Sequence, residues 1–147
     1  MAQTTGAMTG ATATLELNVN NGGFTDIAGS ASSIDVVEMT RLNGSAFTLD
    51  GDYAVLTFGR QPPTAVTVNI LYTEVAGEAF LKAVSALKAN QLAQIRWKPA
   101  GSGGASFTTV SGGKISTVSL PGNDASSGDP LMVSFVVQAP GIETSIS

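Results

Sequence analysis

The strongest constraint on the fold is an alternation of apolar and polar residues that recurs along the chain. It is clearest in segment 131–139, where every second residue is apolar: Leu131, Val133, Phe135, Val137 and Ala139. Segments 13–19, 64–72 and 92–98 follow the same pattern. Successive side chains of a β-strand point to opposite faces of a sheet, so this period predicts half-buried strands.

Other strand regions are less regular. Residues 33–42 alternate imperfectly, which predicts either a bulge or a strand covered on both faces. Residues 106–110 and 114–120 flank the Ser-Gly-Gly sequence of 111–113 and are predicted to pair as a hairpin.

Two turn signals lie close together in the first half of the chain. They are the Asn-Gly pair at 43–44 and the Asp-Gly pair at 50–51. Such pairs readily adopt the positive φ angles of a type I′ hairpin turn. They predict strands near 45–49 and 52–58, which form either a small meander or an extended hairpin arm.

The period changes from two to about 3.6 residues in segment 75–90. Its apolar residues lie at i, i+3, i+4 and i+7, the spacing of one helical face: Phe80, Ala83, Val84 and Leu87. Thr73 is predicted to cap the helix N-terminus, and Glu78 and Lys82 to form an i, i+4 ion pair.

These elements predict a mainly β fold, an antiparallel β-sandwich or open barrel with one flanking α-helix at about 75–90. A length of 147 residues suits a single domain. We expect residues 1–147 to form that domain, with a flexible N-terminus at about 1–10 and an extended hairpin arm near 40–55.

The composition excludes most catalytic chemistry. The chain has no Cys and no His, which rules out thiolate nucleophiles, His-based triads and metal sites built on either residue. Asp35 and Glu38 could be paired carboxylates, but on a strand they point to opposite faces. We therefore expect no enzyme activity, no catalytic residues and no bound cofactor.

Two acidic segments could supply oxygen ligands for calcium. One is Asp-Gly-Asp at 50–52, and the other is segment 123–129 with Asp124 and Asp129. Neither has the ligand spacing and final Glu of an EF-hand loop. Turn formation and solubility explain these residues better, and no metal site is expected.

Charge is sparse and unevenly distributed. Only 12% of the residues are charged, against about 25% in a typical soluble domain. Residues 1–80 carry eight acids and two bases, whereas residues 81–147 carry three acids and five bases. Low charge favours contact with other protein, and halves of opposite sign favour head-to-tail assembly. The alternative is a monomer coated with Ser and Thr.

Signals for nucleic-acid binding and targeting are missing from the sequence. There is no cluster of Lys and Arg to neutralise phosphates, so tight nucleic-acid binding is not expected. Residues 1–6 lack the basic and apolar regions of a signal peptide, and no segment reaches transmembrane length. We expect synthesis in the cytoplasm and no membrane partner.

The order of these features resembles that of the tail tube, or major tail, proteins of siphophages and of the related gene transfer agents. The first matching part is strand 15–19 followed by a Phe-x-x-Ile-x-Gly segment at 24–29. The second is segment 35–44, which leads into the arm. The third is the end of the chain, from 113 through the 124–129 loop to strand 131–139. Together the three parts cover most of the chain.

The resemblance implies a structural virion protein of the tail, made in the host cytoplasm. Six subunits would form a ring, and stacked rings would form a tube whose inner strands close into a continuous barrel. Viral DNA would pass through the lumen without specific binding, which suits an acidic chain. Tape measure, tail terminator and distal tail proteins would be its further partners.

The arm is the predicted subunit interface. Two turn signals flank a short strand with an apolar tip, so we expect the arm to reach a neighbouring subunit. The candidate interface residues are Arg41, Asn43, Gly44, Phe47, Asp50 and Asp52.

Two alternatives to a tail tube protein stay open. One is another virion component, such as a head–tail completion or capsid decoration protein. The other is a β-sandwich module that binds a ligand. Such modules usually expose several aromatic residues on one face, whereas most aromatic residues here lie on predicted core faces.

Overall fold

The chain folds into short β-strands and one α-helix. The computed structural model describes residues 2–146. In chain order, the elements of that range are a 3-10 turn (Gly10–Thr12), β1 (Thr14–Val19), β2 (Phe24–Asp26), β3 (Ala31–Ile34), β4 (Asn43–Ala46), β5 (Val55–Phe58), β6 (Thr64–Leu71), α1 (Ala79–Lys88), β7 (Ala93–Lys98), β8 (Ser106–Thr109), β9 (Lys114–Val118), β10 (Met132–Ala139) and β11 (Ile142–Ser145).

Two antiparallel sheets make up the body. Sheet A contains five strands in the order β11-β8-β7-β1-β2, and sheet B contains four in the order β3-β6-β10-β9. Strands β4 and β5 pair with each other in a separate two-stranded sheet. The predicted fold class, a mainly β antiparallel sandwich with one helix, is confirmed.

The core lies between the two sheets. Its largest fully buried side chains are Leu17, Val66, Val68, Ile70, Ile95, Thr109, Phe135 and Val137. Each of the four regularly alternating segments forms a strand, and its apolar face is the one that points into the core. Burial of each large apolar side chain contributes roughly 1.5–3 kcal/mol, which is why this alternation decides the fold.

Strands β6 and β10 form the centre of sheet B. Phe135 lies opposite Val68, and Val137 lies opposite Val66. On the other side of β10, Phe135 lies opposite Val118 of β9. The Phe135 side chain therefore has apolar cross-strand neighbours on both sides, an arrangement that stabilises sheets.

The helix begins later than predicted. It starts at Ala79, because Gly77 has a φ angle of 88° and Glu78 is extended, which keeps the preceding residues out of helical conformation. Thr73 is consequently too far away to cap the helix, and its hydroxyl group donates to the Glu78 carboxylate instead. Within residues 2–146, no helix has the length and apolar character that a membrane crossing requires.

The buried face of the helix also differs from the predicted one. Its buried residues are Ala79, Phe80, Ala83 and Ala86, whereas Leu87 is 39% exposed. The helix packs mainly against β9 and also contacts β1 and β6. Because alanine is small, a face with three alanines lets the helix pack closely against β9. The larger Leu87 points away from this contact.

The strand predicted at 33–42 is much shorter. Strand β3 ends at Ile34, with a register shift between Ala31 and Ser33. Residues 35–42 then leave the sheet, and Val37 packs against the core. Of the apolar residues in this segment, Val37 packs against the core, whereas Val36, Met39 and Leu42 are each more than half exposed.

The hairpin predicted around 111–113 does not form. Strand β8 belongs to sheet A and β9 to sheet B, so the Gly-rich connection crosses between the sheets. A strand that the sequence analysis missed, β11, follows β10 and pairs with β8. Turn residues indicate a change of direction, but they do not tell which strand the chain will meet next.

Gly113 lies at this crossing, and its carbonyl accepts a hydrogen bond from the Ala93 N–H (2.9 Å). A Cβ atom on Gly113 would lie 2.7 Å from the Gln138 carbonyl oxygen and 3.1 Å from the Ala139 Cα. Because β9 and β10 would have to move apart, we expect Gly113→Ala to lower the free energy of unfolding by about 1–3 kcal/mol in urea denaturation.

Gly122→Ala is the matched control for this substitution. No atom lies within 4 Å of a Cβ at position 122, so its effect should stay within about 0.5 kcal/mol. Equal unfolding midpoints for the two variants would contradict the close approach at Gly113.

Candidate subunit interface

The chain between β3 and β6 forms a hairpin that we call the arm, residues 43–58. Strands β4 and β5 pair antiparallel, with Asn43 opposite Phe58 and Ala46 opposite Val55. These two strands contact mainly each other and not the sandwich. The arm is therefore held by its own ladder and by its base.

Hydrogen bonds close the base of the arm. The Leu42 N–H donates to the Arg60 carbonyl (2.9 Å), and the Gly59 N–H donates to the Leu42 carbonyl (2.6 Å). The Arg41 guanidinium also donates to the Gly59 carbonyl (3.2 Å). The two chain segments that enter and leave the arm are thus tied together before they reach the sheets.

The turn of the arm differs from the prediction. Asn43 and Gly44 lie inside β4, and neither has a positive φ angle. The connection between β4 and β5 is a longer loop, in which Gly51 has a φ angle of 111° and the Thr48 hydroxyl donates to the Asp50 carbonyl. Asn43 and Gly44 therefore do not form the tight turn predicted for them, and a longer loop joins the two strands of one hairpin, the extended form of the two that were predicted.

The arm exposes large apolar side chains. Phe47 is 77% exposed and Tyr53 is 88% exposed in the loop at the tip. On β5, Val55 is exposed on one face and Leu56 and Phe58 on the other. A two-stranded hairpin is at best marginally stable in water, and an apolar surface of this kind marks a contact with another molecule. The arm is therefore the candidate interface.

All six predicted interface residues lie on the arm or at its base. Arg41 is at the base, Asn43 and Gly44 are on β4, and Phe47, Asp50 and Asp52 are in the tip loop. They follow one another along the hairpin and do not form a compact cluster. A contact made through these six residues would therefore extend along the whole arm, from its base to its tip.

The return strand of the arm, β5, was not predicted as part of this surface. Residues 55–58 read Val-Leu-Thr-Phe, with apolar residues on both faces. Strands without alternation are typically covered on both sides. Because the single subunit covers neither side of β5, Leu56 and Phe58 are further interface candidates.

The outer face of sheet A carries charges of both signs. Arg96 forms an ion pair with Glu16, which lies opposite it on β1. The Arg96 guanidinium also lies over the Phe24 ring, 4.2 Å from its centroid. Asp26 lies opposite Glu16 on the next strand. Charges on this face are thus partly neutralised, and Arg96 links β7 to the β1–β2 hairpin.

The outer face of sheet B is polar but nearly uncharged. Its central positions on β6 and β10 are Ala65, Thr67, Asn69, Ser134, Val136 and Gln138. The Asn69 amide donates to the Ser33 hydroxyl (3.0 Å) and to the Asp35 carboxylate (2.9 Å). This face offers DNA phosphates few cations.

Each sheet has two edges. In the described part of the chain, β2 and β11 are the edge strands of sheet A, and β3 and β9 are those of sheet B. Each has three to five residues. An edge strand presents unpaired backbone groups to which a strand of another chain can add. The sheets of neighbouring subunits could therefore join by pairing of these edge strands.

The acidic segment 123–129 is built as a turn. Asp124 accepts hydrogen bonds from the hydroxyl (2.7 Å) and the N–H (3.0 Å) of Ser126, and these bonds lower the pKa of the Asp124 carboxyl. The turn is thus favoured while Asp124 is ionised and weakens as pH falls through its lowered pKa. Over residues 2–146, no group of three Asp or Glu side chains is close enough to hold a metal ion.

Comparison with known proteins gives matches in structure and none in sequence. No family model and no curated protein matches the chain. It is similar to a chain of the anti-feeding prophage cap, a tube terminating cap, with a TM-score of 0.71 and 13% identity over 100% of this chain and 97% of that one.

Two other solved structures are similar over nearly their whole length. One belongs to the sheath/tube terminator of a PVC extracellular contractile injection system, with a TM-score of 0.68 and 14% identity over 89% of this chain and 92% of that one. The other belongs to the tail of an empty gene transfer agent particle refined with C6 symmetry, with a TM-score of 0.70 and 10% identity over 96% and 99%.

At sequence identities of 10–14%, these matches show that the chain shares the fold of those proteins. The resemblance to gene transfer agent tails is confirmed at that level. It is not specific to siphophages, because chains of contractile injection systems share the same architecture. The chain therefore has a tail-tube-like fold.

Proposed function

We propose that the protein is a structural virion subunit that self-assembles into stacked hexameric rings, which form a tail tube through which viral DNA passes. The observation that carries this proposal is the arm, whose apolar side chains remain exposed in the single subunit. The tail-tube-like fold supports the same role.

Burial of the arm on neighbouring subunits would stabilise the assembly. Phe47, Leu49, Tyr53, Leu56 and Phe58 are each more than half exposed. Burial of one such side chain contributes roughly 1.5–3 kcal/mol. Several of them together would offset much of the loss of translational and rotational freedom on association.

The four edge strands support closure into rings. Pairing between edges of adjacent subunits satisfies backbone groups that would otherwise invite aggregation, and a closed ring leaves no edge. A gene transfer agent tail with the same fold has C6 symmetry, which makes six subunits per ring the preferred number for this chain.

A conduit role fits the charge of the chain. Its net charge is −4, and like charge keeps DNA from adhering to a wall made of acidic subunits. The role is structural and needs no catalytic residue or cofactor. Tape measure, tail terminator and distal tail proteins are the partners proposed at the two ends and in the lumen of the tube.

Solution mass and electron microscopy test the proposal directly. Light scattering of the purified chain should give a mass of six subunits or more, and negative-stain images should show six-fold rings or tubes. Monodisperse monomers over a wide concentration range would contradict it and favour a ligand-binding module.

A tube terminator is the second candidate function. It is favoured by the similarity to the tube terminating cap and to the sheath/tube terminator. A terminator should form single rings that do not elongate, whereas a tube subunit should form tubes of variable length. A head–tail completion or decoration protein would give neither long tubes nor rings that stack.

Salt should control the rate of assembly if the acidic and basic halves meet between subunits. Lys114 begins β9, an edge strand of sheet B. We expect Lys114→Glu to slow assembly in 0.01 M salt and to have little effect in 1 M salt, because the Debye length falls from about 30 Å to roughly 3 Å. Lys114→Arg, the matched control, should assemble at the original rate. A rate indifferent to both charge and salt would contradict this contact.

A further inference from the structure

A groove of ≈ 400 Å³ lies between α1 and the β1–β2 hairpin. Leu17 and Val19 of β1 and Leu81 of α1 line it with apolar surface, and Gly22 and Gly23 leave it open on the hairpin side. Its volume is within the roughly 300–1,000 Å³ of typical binding pockets. The groove can therefore receive one or two apolar side chains.

Lys82 is the charged residue that lines the groove. Its ammonium group donates to the Thr25 hydroxyl (2.6 Å), across from the helix to the hairpin. The predicted pair with Glu78 does not form, since the Glu78 carboxylate accepts from Thr73. Among residues 2–146, no carboxylate lies within ion-pair distance of Lys82. The groove thus combines apolar walls with a cation that has no acidic partner in the described part of its own subunit.

The tip of the arm has the complementary composition. Phe47 and Leu49 are two residues apart in the loop, and both are exposed, Leu49 fully. Asp50 and Asp52 follow them directly. The tip therefore offers two apolar side chains next to two carboxylates, which matches an apolar groove with one lysine.

Two other grooves match the tip less well. A groove of ≈ 510 Å³ beside β3 is lined by Trp97 and Leu15 but by no charged residue. A groove of ≈ 230 Å³ at the end of the sandwich includes Asp35 in its lining. An acidic side chain there would repel Asp50 and Asp52, so charge selects the groove beside Lys82.

We propose that the arm tip of one copy seats in the α1/β1–β2 groove of a second copy. Phe47 and Leu49 enter the groove, and Asp50 or Asp52 pairs with Lys82. This inference rests on the proposed assembly and adds the surface on the second copy to which the arm tip binds. Because tip and groove are different parts of the chain, the contact is heterologous and can propagate from copy to copy, as rings and tubes require.

Cysteine cross-linking tests the contact cleanly, because the chain has no Cys of its own. One tagged chain would carry Leu49→Cys and a second, differently tagged chain would carry Ser85→Cys, at a position that lines the groove. A disulfide needs Cα atoms within about 7 Å. We expect a mixed disulfide in assembled material, and none when Ser85→Cys is replaced by Ser134→Cys on the outer face of sheet B.

Charge exchange provides a second readout. Lys82→Glu should lower the yield of the mixed disulfide about tenfold. With Lys82→Glu in the chain that carries Ser85→Cys, adding Asp50→Lys and Asp52→Lys to the chain that carries Leu49→Cys should restore it. Lys88→Glu makes the same change of charge on the same helix, outside the groove lining, and should leave the yield near its original value.

The outcomes separate this inference from the proposed function. Rings or tubes without the 49–85 disulfide, or with a yield indifferent to Lys82→Glu, would overturn the groove contact and leave the assembly standing. An unsubstituted chain that stays monomeric would overturn both proposals.

Discussion

Replacement of Phe135 by alanine should lower the free energy of unfolding by about 3–5 kcal/mol. The side chain is fully buried, and Val68 and Val118 lie opposite it on the two neighbouring strands. Its loss leaves a cavity at the centre of sheet B. Because a domain is typically stable by only about 5–15 kcal/mol, much of the variant should be insoluble. Thermal unfolding of the soluble part should show a Tm lower by roughly 10–20 °C.

Ser134→Ala is the matched control on the opposite face of the same strand. Ser134 is half-buried on the outer face, with its hydroxyl 3.1 Å from that of Ser119. Loss of this bond should cost no more than about 1 kcal/mol. The comparison tests the register of β10, because a slip of one residue would exchange the two faces. A large loss of stability in Ser134→Ala, together with little loss in Phe135→Ala, would show that the two faces of β10 were assigned wrongly.

Removal of the arm should abolish assembly and leave the sandwich folded. Residues 43–58 can be replaced by an Asn-Gly turn, since Leu42 and Gly59 are already hydrogen-bonded at the base. The Tm should change by only a few degrees, because the arm contacts mainly itself. Loss of even two buried apolar side chains, roughly 3–6 kcal/mol, should weaken association more than about a hundredfold. Light scattering should then show monomers.

Point variants separate the apolar contact from a general effect of charge. Phe47→Asp in the intact arm should also block assembly, because it puts a carboxylate where the proposed contact would bury an apolar side chain. Ser45→Asp adds the same charge to an exposed position of β4 without removing a ring, and should reduce assembly much less. Armless subunits that still form rings would contradict the role of the arm. A large fall in Tm would show that the arm supports the fold itself.

Strands with strict alternation could be predicted well from the sequence. Strands β1, β6, β7 and β10 lie where the alternation placed them, and in β10 the four buried residues, Val133, Phe135, Val137 and Ala139, are predicted ones. The reason is local: the two-residue period follows from the geometry of a single strand. The presence of one helix was predictable for the same reason.

Predictions were less successful where the result depends on contacts between segments that are far apart in the sequence. The Gly-rich 111–113 segment has the composition of a hairpin turn, yet the chain crosses there to the other sheet. Helix α1 buries Ala86 and exposes Leu87, because its close approach to β9 favours small side chains. Leu56 and Phe58, which belong to the candidate interface, were not predicted, because a strand without alternation resembles a core strand until its surroundings are known.

By itself, the sequence determined the strictly alternating strands β1, β6, β7 and β10, the apolar faces of those strands, and that His and Cys chemistry is excluded. Only the tertiary structure decided which strands pair, where the helix begins, and that the arm stays outside the sandwich with Phe47 and Leu56 exposed. The physical reason is the separation in sequence over which each property acts. Alternation and composition are properties of neighbours along the chain, whereas pairing and burial depend on contacts such as Phe135 with Val68, between residues far apart in sequence.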